Sequence, residues 1–262
     1  MKIRIIAASF LMCATAFAGN VDGSAGSGGD VESRYLIDMP TAGMLHNGMV
    51  GMSVSFYEQS GLLMSLEAGA FNRLTFGLSY GGTNIIGSGQ VDWNKLPGVN
   101  IRFRLIDETP EFPAIAIGFD SQGKDKYDTT YDRYLYKSPG FFAAASKYFN
   151  MLGYLGFHAE ANYSLENKDG NKNMNFCVGV DKTIGSDISV MAEYNFGFND
   201  NYGNYLLTGP GVLPRSGPGF LNAGARWSVG NGFTVEFDYK NLLDLKKTQS
   251  LRTIRIEYVQ SM

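Results

Sequence analysis

Between Met49 and Gln260 the chain reads as twelve segments in which apolar and polar residues alternate, joined by connections that are by turns short and long. The segments fall at 49–58, 61–71, 73–82, 98–107, 113–121, 135–149, 152–165, 173–184, 187–199, 219–229, 233–244 and 250–260. A period of two is the mark of an extended strand with two unlike faces. In the segment 233–244, Phe233, Val235, Phe237 and Tyr239 share one face while Thr234, Glu236, Asp238 and Lys240 share the other. Segment 98–107 sets Val99, Ile101, Phe103 and Leu105 against Asn100, Arg102 and Arg104 in the same way. Most segments match the ~9 to 11 residues that a tilted strand needs to cross a hydrocarbon core. An even strand count returns both ends to one side, and short inner turns facing longer outer loops are the habit of outer-membrane barrels. The expected fold is all-β, a single antiparallel up-and-down transmembrane β-barrel of about 12 strands with its apolar face to lipid.

The first residues predict the compartment. Lys2 and Arg4 precede an apolar run from Ile5 to Ala14, and Ala16-Phe17-Ala18 supplies the small residues of a signal-peptidase site. Residues 1–18 are therefore expected to be a cleaved signal peptide, which takes Cys13 with it and leaves Cys177 without an intrachain partner. No later run reaches the ~18 apolar residues of a spanning helix, so any insertion must be as sheet. Loss of Lys2 and Arg4 moves the formal net charge from −3 to about −5, which gives nucleic acid no basic footprint. The stretch 19–34 is rich in Gly and Ser and is expected to be a flexible linker; 35–48, more apolar and broken by Pro40, is expected to be an ordered lead-in at the periplasmic barrel base. The barrel then occupies 49–262.

With the N-terminus inside, Tyr80, Tyr163, Phe198 and Tyr239 are predicted near the outer rim, and Tyr148, Trp227, Phe233 and Tyr258 near the inner rim, as two aromatic girdles. Inner connections at Asn72, 108–112, 150–151, 185–186 and 230–232 have hairpin lengths with the Gly and Asn that tight turns require. The outer connections 83–97, 122–134, 166–172 and 200–218 are long enough to carry recognition or to fold inward, and steric filling is the expectation for the last of these.

The polar face defines a predicted lumen. Its acids are Glu67, Asp120, Glu160, Asp181, Glu193, Glu236, Asp238 and Glu257; its bases are Arg102, Arg104, Lys147, Arg226, Lys240 and Arg255, with His158 beside Glu160. Such residues line the pore as selectivity groups or pair with each other and close it, and the excess of acids over bases favours pairing, with Glu67, Asp120 or Glu160 as partners for the arginines. Catalysis has little support. His46 and His158 occupy no metal-ligand spacing, no nucleophile is recognisable beside His158, and no phosphate loop is present, so no enzyme, metal or cofactor is expected.

Three stretches resemble the YjbH-type outer-membrane proteins associated with exopolysaccharide or capsule export. Residues 35–48, YLIDMPTAGMLHNG, are similar to that family's opening; 99–119, VNIRFRLIDETPEFPAIAIGF, to its strand-turn-strand core through Arg102, Arg104, Asp107, Glu108, Pro113, Ala114 and Gly118; and 141–148, FFAAASKY, to a strand ending in V-A-S-K. The resemblance implies a component of exopolysaccharide export or of the cell envelope, with outer-membrane lipid, polysaccharide or envelope-complex proteins as partners. A structural or docking barrel with a blocked lumen, or a small-solute pore, is the alternative.

Overall fold

The computed structural model describes residues 21–87, 89–200, 219–244 and 251–262. The expected signal peptide, most of the 200–218 loop and the loop 245–250 lie outside the described residues.

Twelve antiparallel strands close into one barrel: β1 (Met49–Tyr57), β2 (Gly61–Ala70), β3 (Leu74–Thr83), β4 (Gly98–Ile106), β5 (Ala114–Asp120), β6 (Gly140–Asn150), β7 (Tyr154–Tyr163), β8 (Asn175–Ile184), β9 (Ile188–Asn195), β10 (Phe220–Gly230), β11 (Phe233–Lys240) and β12 (Leu251–Ser261). Each pairs with its neighbours in sequence, and β1 also pairs with β12, from Met49 opposite Ser261 to Phe56 opposite Ile254. Closure removes the free sheet edges that a bilayer would not tolerate.

Side-chain parity follows the expected pattern. On β4, Val99, Ile101, Phe103 and Leu105 are 43–46% exposed, whereas Arg102 and Arg104 between them are 1% and 8% exposed. The apolar set faces outward as a lipid-facing band, and Tyr80, Tyr239, Trp227 and Phe233 stand exposed toward its two edges.

Register corrects two residues on β6. His158 lies opposite Ser146 and Phe157 opposite Lys147, so the even-numbered residues of β6 face the lumen. Lys147 is therefore an outward residue, its ammonium held at the inner rim by Glu108 at 3.2 Å and by the Thr109 carbonyl. Tyr148 points inward, edge-on to His158 at 5.4 Å, and is no girdle residue. The segment FFAAASKY is apolar on both faces, so its alternation carries no phase.

The largest departure is at the N-terminus. Residues 21–48 form neither a free linker nor a base-level lead-in but a hairpin inserted into the barrel from its inner end. Ser27 and Gly28 bond the inner turn at Gly185 and Ser186, the chain climbs to a tip at Leu36–Met39, and it returns to Asn47, which bonds Asn72 in another inner turn. A Tyr35–Pro40 bridge and the Leu36 N–H donating to the Met39 carbonyl at 2.9 Å close the tip. The wall makes room with lumen-facing glycines. A Cβ on Gly69 would meet the carbonyls of Leu45 and His46, and one on Gly179 would meet the Leu36 side chain.

Candidate functional site: the occupied lumen

A chain segment that is neither helix nor strand brings backbone polar groups that water no longer reaches, and each needs a partner. The wall supplies them from its ionisable residues. Arg102 donates to the carbonyls of Arg34, Thr41 and Gly43 at 2.5, 3.2 and 3.0 Å, with Tyr35 and Phe142 rings against its guanidinium. Arg104 donates to the Ala42 carbonyl at 3.1 Å and pairs with Glu32. Arg226 reaches the Leu36 carbonyl at 2.8 Å, and Arg255 the Ile37 carbonyl at 3.1 Å. Glu193 works in the opposite sense, accepting the N–H groups of Ile37, Asp38 and Met39 at 3.0 to 3.1 Å while Asn222 holds it at 2.8 Å.

Charges on the hairpin complete the set. Arg34 pairs with Glu67 at 2.6 Å and with Glu257, the Tyr35 hydroxyl donates to Asp120 at 2.8 Å, and Asp38 pairs with Lys240 at 2.7 Å. Glu236 fits the expected wall-to-wall pairing, with Arg226 at 2.6 Å through Nε and Arg255 at 3.2 Å; Asp238 stands beside it on the same strand face. The expectation that Glu67, Asp120 or Glu160 would pair with Arg102 and Arg104 gives way, because the hairpin's carbonyls and Glu32 take those donors. Apolar contact is confined to small groups: Leu36, Ile37 and Met39 against Cys177 and Met191; Val21, Val31 and Leu45 against Val259; Ala42 against Ala114 and Ala116.

His158 is paired with Ser146 and Asp181 and not with Glu160. Its Nδ1 lies 2.8 Å from Ser146 Oγ and its Nε2 2.8 Å from Asp181, a serine, histidine and carboxylate in series. Sequence reasoning missed Ser146, which the β6–β7 register alone could have revealed. The order inverts the one usual in serine hydrolases, where Nε2 faces the serine. Ser146 Oγ also accepts the Ala42 N–H at 3.0 Å, so in this state the hydroxyl is spent on holding the hairpin. Among the described residues no group of three His, Cys, Asp or Glu side chains is placed to hold a metal ion.

The outer mouth is narrowed by a ribbon of the loop after β5, Lys124–Asp128 paired with Arg133–Tyr136. Lys124 stands 4.9 Å over the Tyr35 ring, so ribbon and hairpin tip touch. Neighbouring loops tie the ribbon down. Arg133 bonds Asp169 and Asp200, both at 2.8 Å; Asp132 receives Lys95 at 2.7 Å and Lys168; Glu166 accepts the N–H groups of Tyr134 and Ser138 at 2.9 and 3.1 Å. Hydrogen bonds from Lys168 and Lys95 hold the Asp132 carboxyl well below the usual range, while burial raises that of Glu166.

The sequence model of the YjbH family, described as "Exopolysaccharide biosynthesis protein YbjH", matches residues 33–189, more than half of the 262 residues. The chain belongs to this family. The match runs from the hairpin through β8, so it takes in the tip, the Arg102 and Arg104 strand and the Ser146 and His158 pair. No curated protein matches the chain by sequence. Among solved structures, the KdgM porin in complex with disordered oligogalacturonate is similar at 9% identity over 80% of this chain and 98% of that one, with a TM-score of 0.49. Omp33 of Acinetobacter baumannii is similar at 10% identity over 82% and 97%, TM-score 0.43, and the NanC porin at 11% over 81% and 99%, TM-score 0.42. This YjbH-family chain is a closed twelve-stranded β-barrel whose lumen is occupied by its own N-terminal hairpin.

Proposed function

We propose that the barrel serves exopolysaccharide export as a conduit across the outer membrane, closed in this state by the hairpin 21–48. The observation that carries the reading is how the hairpin is held: by arginine and carboxylate side chains reaching its backbone, with only small apolar groups between. A wall of this kind keeps a hydrogen-bonding lining when the segment withdraws, and water or sugar hydroxyls can satisfy it. A lumen filled by apolar wall side chains would have no such second state. Family membership supplies the polysaccharide.

Planar-bilayer conductance tests the proposal. The purified protein is expected to be silent or to open rarely, and a variant lacking 21–45 to give ohmic steps at low voltage. Silence of that variant, shown to be folded by its heat-modifiable migration on gels, overturns the conduit. The many charge-assisted contacts at the hairpin favour a second reading, a structural barrel permanently blocked by it; its signature is a deletion variant that conducts while the intact protein stays silent even when Arg102→Met loosens the hairpin.

A further inference from the structure

Outward of the hairpin tip lies a recess of about 580 Å³, most of it open space at the mouth rather than enclosed volume. Five carboxamides border it, Asn162, Asn175, Asn195, Asn199 and Asn222, beside as many acidic and basic side chains. A carboxamide offers both donors and acceptors, the combination that a sugar hydroxyl, itself donor and acceptor, can use fully. Most of this capacity is spent internally: Asn175 on Asn195 at 2.9 Å and on the Phe198 N–H, Asn195 on the Gly197 N–H, Asn222 on Glu193 and the Asn241 N–H, and the Asn162 amide on Glu160 at 3.0 Å. Two neighbouring atoms are left over. Asn162 is only 6% exposed, yet its Oδ1 has no hydrogen-bond partner, and beside it Glu160 Oε2 has none beyond the weak donor of the Cys177 thiol. Buried polar atoms left without partners are uncommon and call for a ligand or water.

Charge sets the class of ligand. The cations bordering the recess are already engaged, Lys137 with Asp169 at 2.6 Å and Lys124 over the Tyr35 ring. Asp38 is paired with Lys240, and Asp200 with Arg133. Among the described residues bordering the recess no cation is left to hold an acidic sugar, while Glu160 offers hydroxyls an acceptor. Tyr136 and Phe220, edge to face at 4.8 Å, add an aromatic wall against which the C–H face of a sugar ring can lie.

We propose that this recess is a binding subsite for an uncharged oligosaccharide, entered from the outer face and floored by Glu160 and Asn162. The inference rests on the carbohydrate reading of the barrel but not on the lumen opening. It is tested on the full-length protein in a zwitterionic detergent without a sugar head group, by calorimetric titration with maltohexaose and cellohexaose as neutral probes and hexagalacturonate as the acidic one. Saturable binding of a neutral probe is expected, with hexagalacturonate weaker. Asn162→Leu is expected to weaken the neutral probe roughly 10-fold, the worth of one or two buried hydrogen bonds, while Asn47→Ala at the inner end leaves it unchanged. Absence of saturable binding by both neutral probes, tighter binding of the acidic one, or an unaltered affinity in folded Asn162→Leu overturns the subsite. Binding without conductance of the hairpin-deleted barrel would remove the conduit and keep the subsite, and conductance without binding would do the reverse.

Discussion

Arg102 holds three hairpin carbonyls from one lumen position, and its loss would take the donor from those of Thr41 and Gly43, while the Arg34 carbonyl keeps the Thr41 N–H. Hydrogen bonds to charged groups are worth roughly 1.5–3 kcal/mol each, and they are not additive when shared by one guanidinium. Arg102→Met is therefore expected to loosen the hairpin by about 3 kcal/mol, seen as faster amide exchange confined to residues 33–45. Equal acceleration in the barrel strands would mean that Arg102 supports the wall and not the hairpin. Glu193→Gln keeps an acceptor oxygen but loses the charge, so a smaller effect of about 1 kcal/mol is expected at Ile37 to Met39. That Arg102 and Glu193 face inward was legible from alternation alone, because each sits between two apolar neighbours on its strand. Lys147, Tyr148 and Ser146 were not. They end a segment whose phenylalanines and alanines occupy both faces, and only pairing with β7 fixes which way each points.

Apart from β6, the strands were legible because each carries its own signal, a local period of two. The hairpin carries none. Its stretch 19–34 has the composition of a tether, and what orders it lies far away in sequence: Ala25 N–H donates to Ser228 Oγ at 2.9 Å, and Gly26 N–H to Ser189 Oγ at 2.9 Å. A segment stabilised by the polar groups of a surrounding wall shows little hydrophobicity of its own, so composition reads it as unstructured. Fit against the wall can be tested at one glycine. Gly179→Val places a branched side chain where Leu36 packs, and it is expected to displace the tip and raise conductance without altering strand exchange; unchanged silence would mean the tip repacks. The outer ribbon offers a pH test of the same kind. Because the Asp132 carboxyl is depressed by Lys168 and Lys95, its contribution is complete above its unfolded value near 3.9 and is lost as pH falls through the folded value below that. With Glu166, whose carboxyl burial raises, replaced by Gln, exchange protection around Asp132 should therefore hold from neutral pH down to about 4 and fall only beneath it. In Asp132→Asn, protection should be weaker already at pH 7, and a break near pH 6 in the Glu166→Gln protein would assign the tie to another group.

At the scale of the whole molecule, a twelve-stranded barrel encloses more space than wall side chains alone fill in smaller barrels, and this chain fills it with an element that precedes the wall in sequence. Closed sheet and hairpin therefore have different reasons to be stable. The sheet is held by continuous strand pairing, including β1 with β12, and by its lipid-facing band. The hairpin is held by side chains that could release it one contact at a time without breaking a strand pair. This separation predicts that hairpin position can be controlled with the barrel intact. Ala42 N–H donates to Ser146 Oγ at 3.0 Å, so the two residues adjoin where hairpin meets wall and are candidates for a disulfide. In a Cys177→Ala background, so that the buried native thiol cannot exchange, Ala42→Cys with Ser146→Cys is expected to lock the hairpin in the lumen. The oxidised protein should then be silent in a bilayer even when Arg102→Met is added, and reduction should restore the openings of the Arg102→Met protein. Openings that persist in the oxidised protein, with cross-linking verified by mass, would mean that conduction bypasses the hairpin and that some other element closes the barrel.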